Sequence, residues 1–196
     1  MRKINDRIYL GMISGAAGLV ALTLIDVVSS KMGISQRSYR TTAGVWVSSR
    51  REAEKWSGQL LGVMMNIGLS MVGGVSVVKI LTRYGRDKLV PKGLFFGITF
   101  GSVITAMVSG FAKNKVKPKD AISNLSYYLS HAAFGLVSIF TAAKLGDDSL
   151  FDAQPQNDYI KPTNKTSEQI NGSKRNNVQP IYSGVNPNLE ETTLTM

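Results

Sequence analysis

Gly93-Leu94-Phe95-Phe96-Gly97-Ile98-Thr99-Phe100-Gly101-Ser102-Val103-Ile104-Thr105-Ala106-Met107-Val108-Ser109-Gly110-Phe111 runs for 19 positions without a charge. A helix rising 1.5 Å per residue needs roughly 20 such residues to cross a ~30 Å hydrocarbon layer, so the stretch is long enough to span. Three blocks of the same kind accompany it. Ile8–Val28 has 21 residues and one charge, Asp26, near its end; Leu60–Val78 and Leu125–Ala143 have 19 each. One block alone would fit a buried helix of a soluble protein. Four within the first 143 residues leave too little polar sequence to cover them. The expectation is an all-α integral membrane four-helix bundle, with helices at about 8–28, 57–80, 93–112 and 123–144 in a domain of residues 1–146.

Outside these blocks the chain is polar and basic. Its mean hydropathy of +0.01 resembles that of a soluble protein only because the loops and the C-terminal region dilute the apolar blocks. The chain carries 23 Lys and Arg against 13 Asp and Glu, a net charge of +10. The cations cluster at the ends of the apolar blocks, as anchors at a lipid interface do, and form no basic stripe interleaved with aromatics. The lipid bilayer is therefore the expected partner, and nucleic acid is not. The chain has no cysteine and one histidine. That excludes disulfides, thiolate sites and multi-histidine metal centres, and neither a metal nor a cofactor is expected.

The connections carry signals of their own. Met1–Arg7 is basic and precedes an apolar run, so a secretory signal ending near Val28-Ser29-Ser30 is one reading. The run exceeds the usual 7–15 apolar residues and holds Asp26 just before the candidate cleavage site, which favours a retained helix. Ser49-Arg50-Arg51-Glu52 matches a helix-capping box and places the start of the second helix near the headgroups, with Trp56 as an interfacial anchor. Arg83, Arg86, Lys88 and Lys92 fill the second connection, where Pro91 marks entry to the third helix. Lys113-Asn114-Lys115-Val116-Lys117-Pro118-Lys119 forms a cationic turn. Residues 147–196 are rich in Asn, Ser, Thr and Pro, and read as a polar disordered tail. Its Asn164-Lys165-Thr166 and Asn171-Gly172-Ser173 sequons are the kind that such a composition yields by chance. Lys and Arg number 9 on the side of the N-terminus and 10 on the other, so charge sets no orientation. The compact basic leader inclines the expectation to cytoplasmic N- and C-termini of a multi-pass cell-membrane protein.

Small residues supply the packing signal. Gly93, Gly97, Gly101, Thr105 and Ser109 recur every fourth residue along one side of the third helix. Gly11 and Gly15 do the same in the first, and Gly58/Gly62 and Ser70/Gly74 in the second. Such ridges let backbones approach closely, within the chain or against another protomer. Packing within the chain is the simpler reading.

Few residues offer chemistry. Asp26 lies near the end of the first helix, Asn66 six residues into the second, and His131 six residues into the fourth, with Tyr127 close by. Because successive helices alternate in direction, all three side chains fall in one leaflet, and Asn66 and His131 lie roughly 9 Å deep. In one reading Asp26 reaches the headgroups while His131 and Asn66 hydrogen-bond across helices. In the other the cluster lines a wet cavity that relays protons or binds a substrate. The first is favoured, because no carboxylate lies at mid-span.

At Lys92-Gly93-Leu94-Phe95-Phe96-Gly97 and Ser130-His131-Ala132-Ala133-Phe134-Gly135 the sequence resembles small four-helix bacterial inner-membrane proteins of the YagU and YqhR kind, over about residues 8–146. The resemblance implies the fold and a bacterial membrane location, and supplies no reaction; the long polar tail departs from the pattern. The chain has no nucleophile–base pair, phosphate-cradling loop or ligand set, so an enzyme is not expected. The leading expectation is a non-enzymatic structural or interaction component of a bacterial cell membrane, partnered by another membrane protein or by itself. The alternative is a small oligomeric transporter or channel component built on the Asp26, Asn66 and His131 cluster.

Overall fold

Asp6 starts the first helix: its carboxylate accepts the Tyr9 amide at 2.6 Å, satisfying one of the donors that a helix leaves open at its N-terminus. The structure, a computed structural model, describes residues 3–36, 38–111 and 120–151. They form six helices: α1 (Arg7–Lys31), α2 (Tyr39–Val47), α3 (Arg50–Ala53), α4 (Trp56–Tyr84), α5 (Leu89–Phe111) and α6 (Ala121–Leu145). A 3₁₀ turn at Asp148–Leu150 follows, and among the described residues there is no strand, only an isolated bridge between Ile4 and Gly146. Four helices, α1, α4, α5 and α6, are long and apolar enough to cross a membrane. The Lys113–Lys119 turn and the tail from residue 152 onward, with its sequons, lie outside the described residues.

The four long helices pack in the order α4, α1, α6, α5 around the bundle. Helix α1 is wedged between α4 and α6, and α5 leans on α6, while α4 and α5 barely meet. Glycines make the tight seams. A Cβ on Gly15 would overlap the Ser70 carbonyl of α4, and one on Gly74 would overlap the Gly11 carbonyl of α1. On the other seam, Gly93 and Gly135 face each other across α5 and α6, and Gly97 lies under the His131 carbonyl. Both seams are thus made within the chain, and they bring backbone against backbone.

Two apolar clusters fill what the glycines leave. Toward the end of the bundle that carries the N-terminus, Leu10, Val77, Val78, Leu81, Ile139 and Ala142 form a continuous core. Toward the middle, Phe134 and Leu22 pack with Phe96, Phe100 and Tyr127, the three phenylalanines stacked at 5.4 and 5.7 Å between ring centroids. Large apolar side chains such as Val20, Leu24, Met64, Val72, Phe95 and Leu129 cover the outside.

Three boundaries differ from the sequence expectation. First, Ser49 does not open the second long helix. Its hydroxyl accepts the Glu52 amide at 3.4 Å and caps α3, a single turn, after which Lys55 leads into α4. Glu52 pairs with Lys55 at 2.5 Å instead of reaching back to Ser49, so the reciprocal half of the capping box is not made. Trp56 does stand out at the start of α4, with 80 % of its surface exposed. Second, the first connection holds a helix to which the sequence reading gives no bounds: α2 folds back on α4, with Gly44 against the Gly58 carbonyl and Gly62 against the Arg40 carbonyl. Gln59 fastens the corner by donating to Thr41 Oγ1 at 3.0 Å and to the Ala53 carbonyl at 2.8 Å.

Third, the packed structure continues past Gly146. The Ile4 amide donates to the Leu145 carbonyl and the Asp147 amide to the Ile4 carbonyl, each at 2.9 Å, pinning the chain beyond α6 to the N-terminal segment. Leu150 and Phe151 then turn inward and join the core around Leu10 and Leu81. Residues 147–151 form a strap across this end of the bundle. The Ser149 hydroxyl and amide hydrogen-bond to the Asp147 carboxyl and hold it below the usual carboxylate range. At the opposite end Asp120 caps α6 through the Ser123 amide at 2.8 Å, and that bond lowers its carboxyl in the same way.

Candidate functional site

The glycine ridge of α5 determines where the only histidine sits. Gly101 has no side chain to spare: a Cβ there would lie 2.7 Å from His131 Cγ, so the imidazole occupies the space that a larger residue would fill. His131 is 2 % exposed. Its Nδ1 lies 3.1 Å from the Tyr127 carbonyl one turn earlier, and its ring tilts against the Tyr127 ring at 4.9 Å between centroids. A carbonyl can only accept, so this contact places the proton on Nδ1. This contact lies within α6.

In front of the histidine a small cavity of about 30 Å³ opens between α1, α4, α5 and α6. Asn66, Ser70, Tyr127 and His131 contribute to its wall, together with the apolar Leu19, Leu22, Phe100 and Phe134. The space suits roughly two water molecules, given that one needs at least 10–15 Å³ of this kind of volume. Asn66 is half-buried on this wall. The structure therefore brings together three of the four candidate cluster residues, Asn66, Tyr127 and His131.

Asp26 does not line the cavity. It is 5 % exposed and lies on the inner stripe of α1 with Leu22 and Ser29. Ser29 accepts a hydrogen bond from the Ser126 hydroxyl of α6 at 2.8 Å, so this stripe faces α6. Asp26 lies within electrostatic reach of Tyr127. The structure thus places Asp26 in a buried position, which corrects the expectation that it extends to the headgroups.

Residues that the sequence did not single out are as informative as those it did. Ser123 joins α6 to the first connection, accepting the Gln36 amide at 3.1 Å. With the Ser29–Ser126 bond it forms a polar seam between α1 and α6 at the end opposite the strap. Serines in apolar blocks read as small residues, and only their register against another helix reveals a bond. Arg86 and Lys92 looked like two more loop cations, yet Arg86 is 2 % exposed and Lys92 spans three acceptors. Among the described residues no group of three or more His, Cys, Asp or Glu side chains is placed to hold a metal. Comparison with family models, with curated proteins and with solved structures gives no match.

Proposed function

We propose that this chain is a non-enzymatic multi-pass protein of a bacterial cell membrane that acts through interaction with other membrane proteins or a second copy of itself. Membrane insertion is supported by four long apolar helices whose outward side chains are apolar. The bacterial setting rests on the sequence resemblance alone. The observation that carries the interaction reading is the size of the cavity beside His131: about 30 Å³, lined by Leu19, Leu22 and two phenylalanines. A cavity that holds roughly two waters is too small for a solute or a hydrated ion. The polar groups inside serve as ties, such as Ser126 to Ser29, and hold helices together.

The partner-binding segment in this reading is the polar tail. Because Phe151 belongs to the packed core, the deletion that tests it removes residues 152–196 and leaves the strap intact. Photocrosslinking in cells should then lose its main adducts. An unchanged set of adducts would end the tail's proposed role.

The transport reading keeps one observation in its favour, a cavity wall that combines Asn66, Tyr127 and His131 where α4 and α5 barely meet. The absence of native cysteine gives a direct test. Single cysteines at Ser35, Asn66, Ser130 and Ser149, treated in cells with a membrane-impermeant maleimide, report face and water access together. Ser35 and Ser149 lie at opposite ends of the bundle and should label from opposite sides, with Ser149 cytoplasmic. Asn66 and Ser130 should stay protected. Labelling of either would move the assignment to an oligomeric transporter.

A further inference from the structure

The strap covers a charge. Arg86, in the turn between α4 and α5, has a side chain with no exposed surface, and the guanidinium lies 4.7 Å above the centre of the Phe151 ring. Its Nη1 is 2.8 Å from Asp148 Oδ1, a close ion pair whose angle falls short of a hydrogen bond. Nε, Nη1 and Nη2 all lack a hydrogen-bond partner among the described residues. A guanidinium offers five donors in a planar fork and normally engages an anion side-on through two of them. Here one carboxylate oxygen comes within ion-pair distance, from a residue whose side chain is itself 37 % exposed, while Asp147 acts on the guanidinium only electrostatically. A buried cation satisfied so incompletely is costly unless something else takes its donors.

We propose that Arg86 is the seat of an anion site for a phosphate group, held shut by residues 147–151 with Asp148 as an internal stand-in for the ligand. Several observations converge on this. The pair is made by the strap and the α4–α5 turn, so lifting the strap removes both Asp148 and the Phe151 lid at once. Lys3, Arg83, Lys88 and Lys144 are exposed at the same end and would draw an anion toward it. In the proposed membrane setting this end lies at headgroup depth, where basic pockets between helices take lipid phosphates. A phosphate supplies the bidentate geometry that Asp148 does not. Binding there would expel the strap and with it the start of the tail. Arg86 and its surroundings support such a site equally whether the protein acts by interaction or by transport.

The test uses the full chain with a single cysteine at Leu150, a position 5 % exposed under the closed strap. Its rate of modification by a maleimide is measured in nanodiscs of phosphatidylcholine, in nanodiscs containing phosphatidylglycerol, and in phosphatidylcholine with added inorganic phosphate. Sodium chloride at matched ionic strength is the control. The expected result is an acceleration of about tenfold in one of the anion arms, the response to a ligand that favours the open state by that factor. Acceleration by phosphatidylglycerol alone assigns a lipid headgroup; acceleration by inorganic phosphate assigns a soluble phosphate. Arg86→Gln should abolish the response, and Asp148→Asn should raise the rate before any anion is added. Equal rates in all arms, or a response that survives Arg86→Gln, would overturn the proposal. If Arg86→Gln does not fold, the Asp148→Asn variant decides: a rate equal to that of the parent chain overturns the proposal.

Discussion

Gly74→Ala is expected to lower the stability of the bundle by about 2–3 kcal/mol, the upper part of the range for overpacking a close-fitting contact. The added methyl would overlap the Gly11 carbonyl oxygen and lie 2.6 Å from Gly15 Cα. These are backbone atoms, and no rotamer change can move them away. Helices α1 and α4 must separate, and because α1 is also seated against α6, the disturbance reaches a second seam. Gly15→Ala attacks the same contact from the other side, where the methyl would overlap the Ser70 carbonyl. The double variant should cost less than the sum of the two, since one separation relieves both clashes. Gly68→Ala is the control: nothing lies within 4 Å of its added Cβ, and alanine is the better helix former. The midpoint of SDS-induced unfolding, followed by far-UV circular dichroism, measures all four. Equal midpoints for Gly74→Ala and Gly68→Ala would mean that the α1–α4 seam is not packed as described.

The same glycines explain why so much of this fold is legible in the sequence. Four apolar blocks separated by polar, basic connections fix the number and length of the long helices, because chain length and hydrophobic thickness are nearly the only variables. Glycine spacing identifies which face of a helix allows a close approach. It does not say which helix approaches: Gly11 and Gly15 serve α4, whereas Gly18, one turn on, meets Ser138 and Phe134 of α6. The connections are harder to read, for a physical reason. Helix α2 has nine residues, too few to be stable alone or to show a periodic pattern, and its existence depends on Gly58 and Gly62 of α4. The strap is hidden similarly. Asp147–Phe151 has the polar look of the region that follows, and Phe151 reads as an isolated aromatic until Gly146 brings it back over Leu10.

The candidate site is legible in part. Alternation of helix direction puts Asn66 and His131 at one depth, and the cavity wall holds both. Asp26 follows from the same rule, and it shares a stripe of α1 with Leu22 of the cavity wall, but it lies one turn further along the helix. A hydrophobic block has no strong polar face, so sequence gives the depth of a residue more readily than its azimuth. Arg86 is the extreme case. Nothing in Tyr84-Gly85-Arg86-Asp87-Lys88 distinguishes the buried cation from the exposed one two residues later.

Lys92→Met should cost about 3 kcal/mol, the second large effect, and it tests how that turn is built. Lys92 lies in the first turn of α5, where the positive end of the helix dipole disfavours a cation. It is stabilised by reaching back to the preceding helix: Nζ donates to the Tyr84 carbonyl at 2.7 Å, to the Gly85 carbonyl at 3.0 Å and to Asp87 Oδ1 at 2.7 Å. All three ammonium donors are engaged. Two of the bonds satisfy carbonyls that α4 leaves open as it ends at Gly85, whose φ of 76° stops the helix. The third meets a carboxylate whose side chain is 8 % exposed, against 21 % for Lys92, so solvent screens the pair little. Methionine fills the volume of the stem and makes none of these bonds, so the buried Asp87 carboxylate loses the ammonium 2.7 Å away. Asp87→Asn removes that charge, so the double variant should be more stable than the two single losses added together predict. Lys92→Arg is expected to fall between, since a planar fork cannot converge on three acceptors as a tetrahedral ammonium does. A loss below about 1 kcal/mol for Lys92→Met, or strict additivity with Asp87→Asn, would show a solvated surface pair. A loss near the expected size assigns the turn between α4 and α5 to the stable frame of the protein, against which the strap over Arg86 closes.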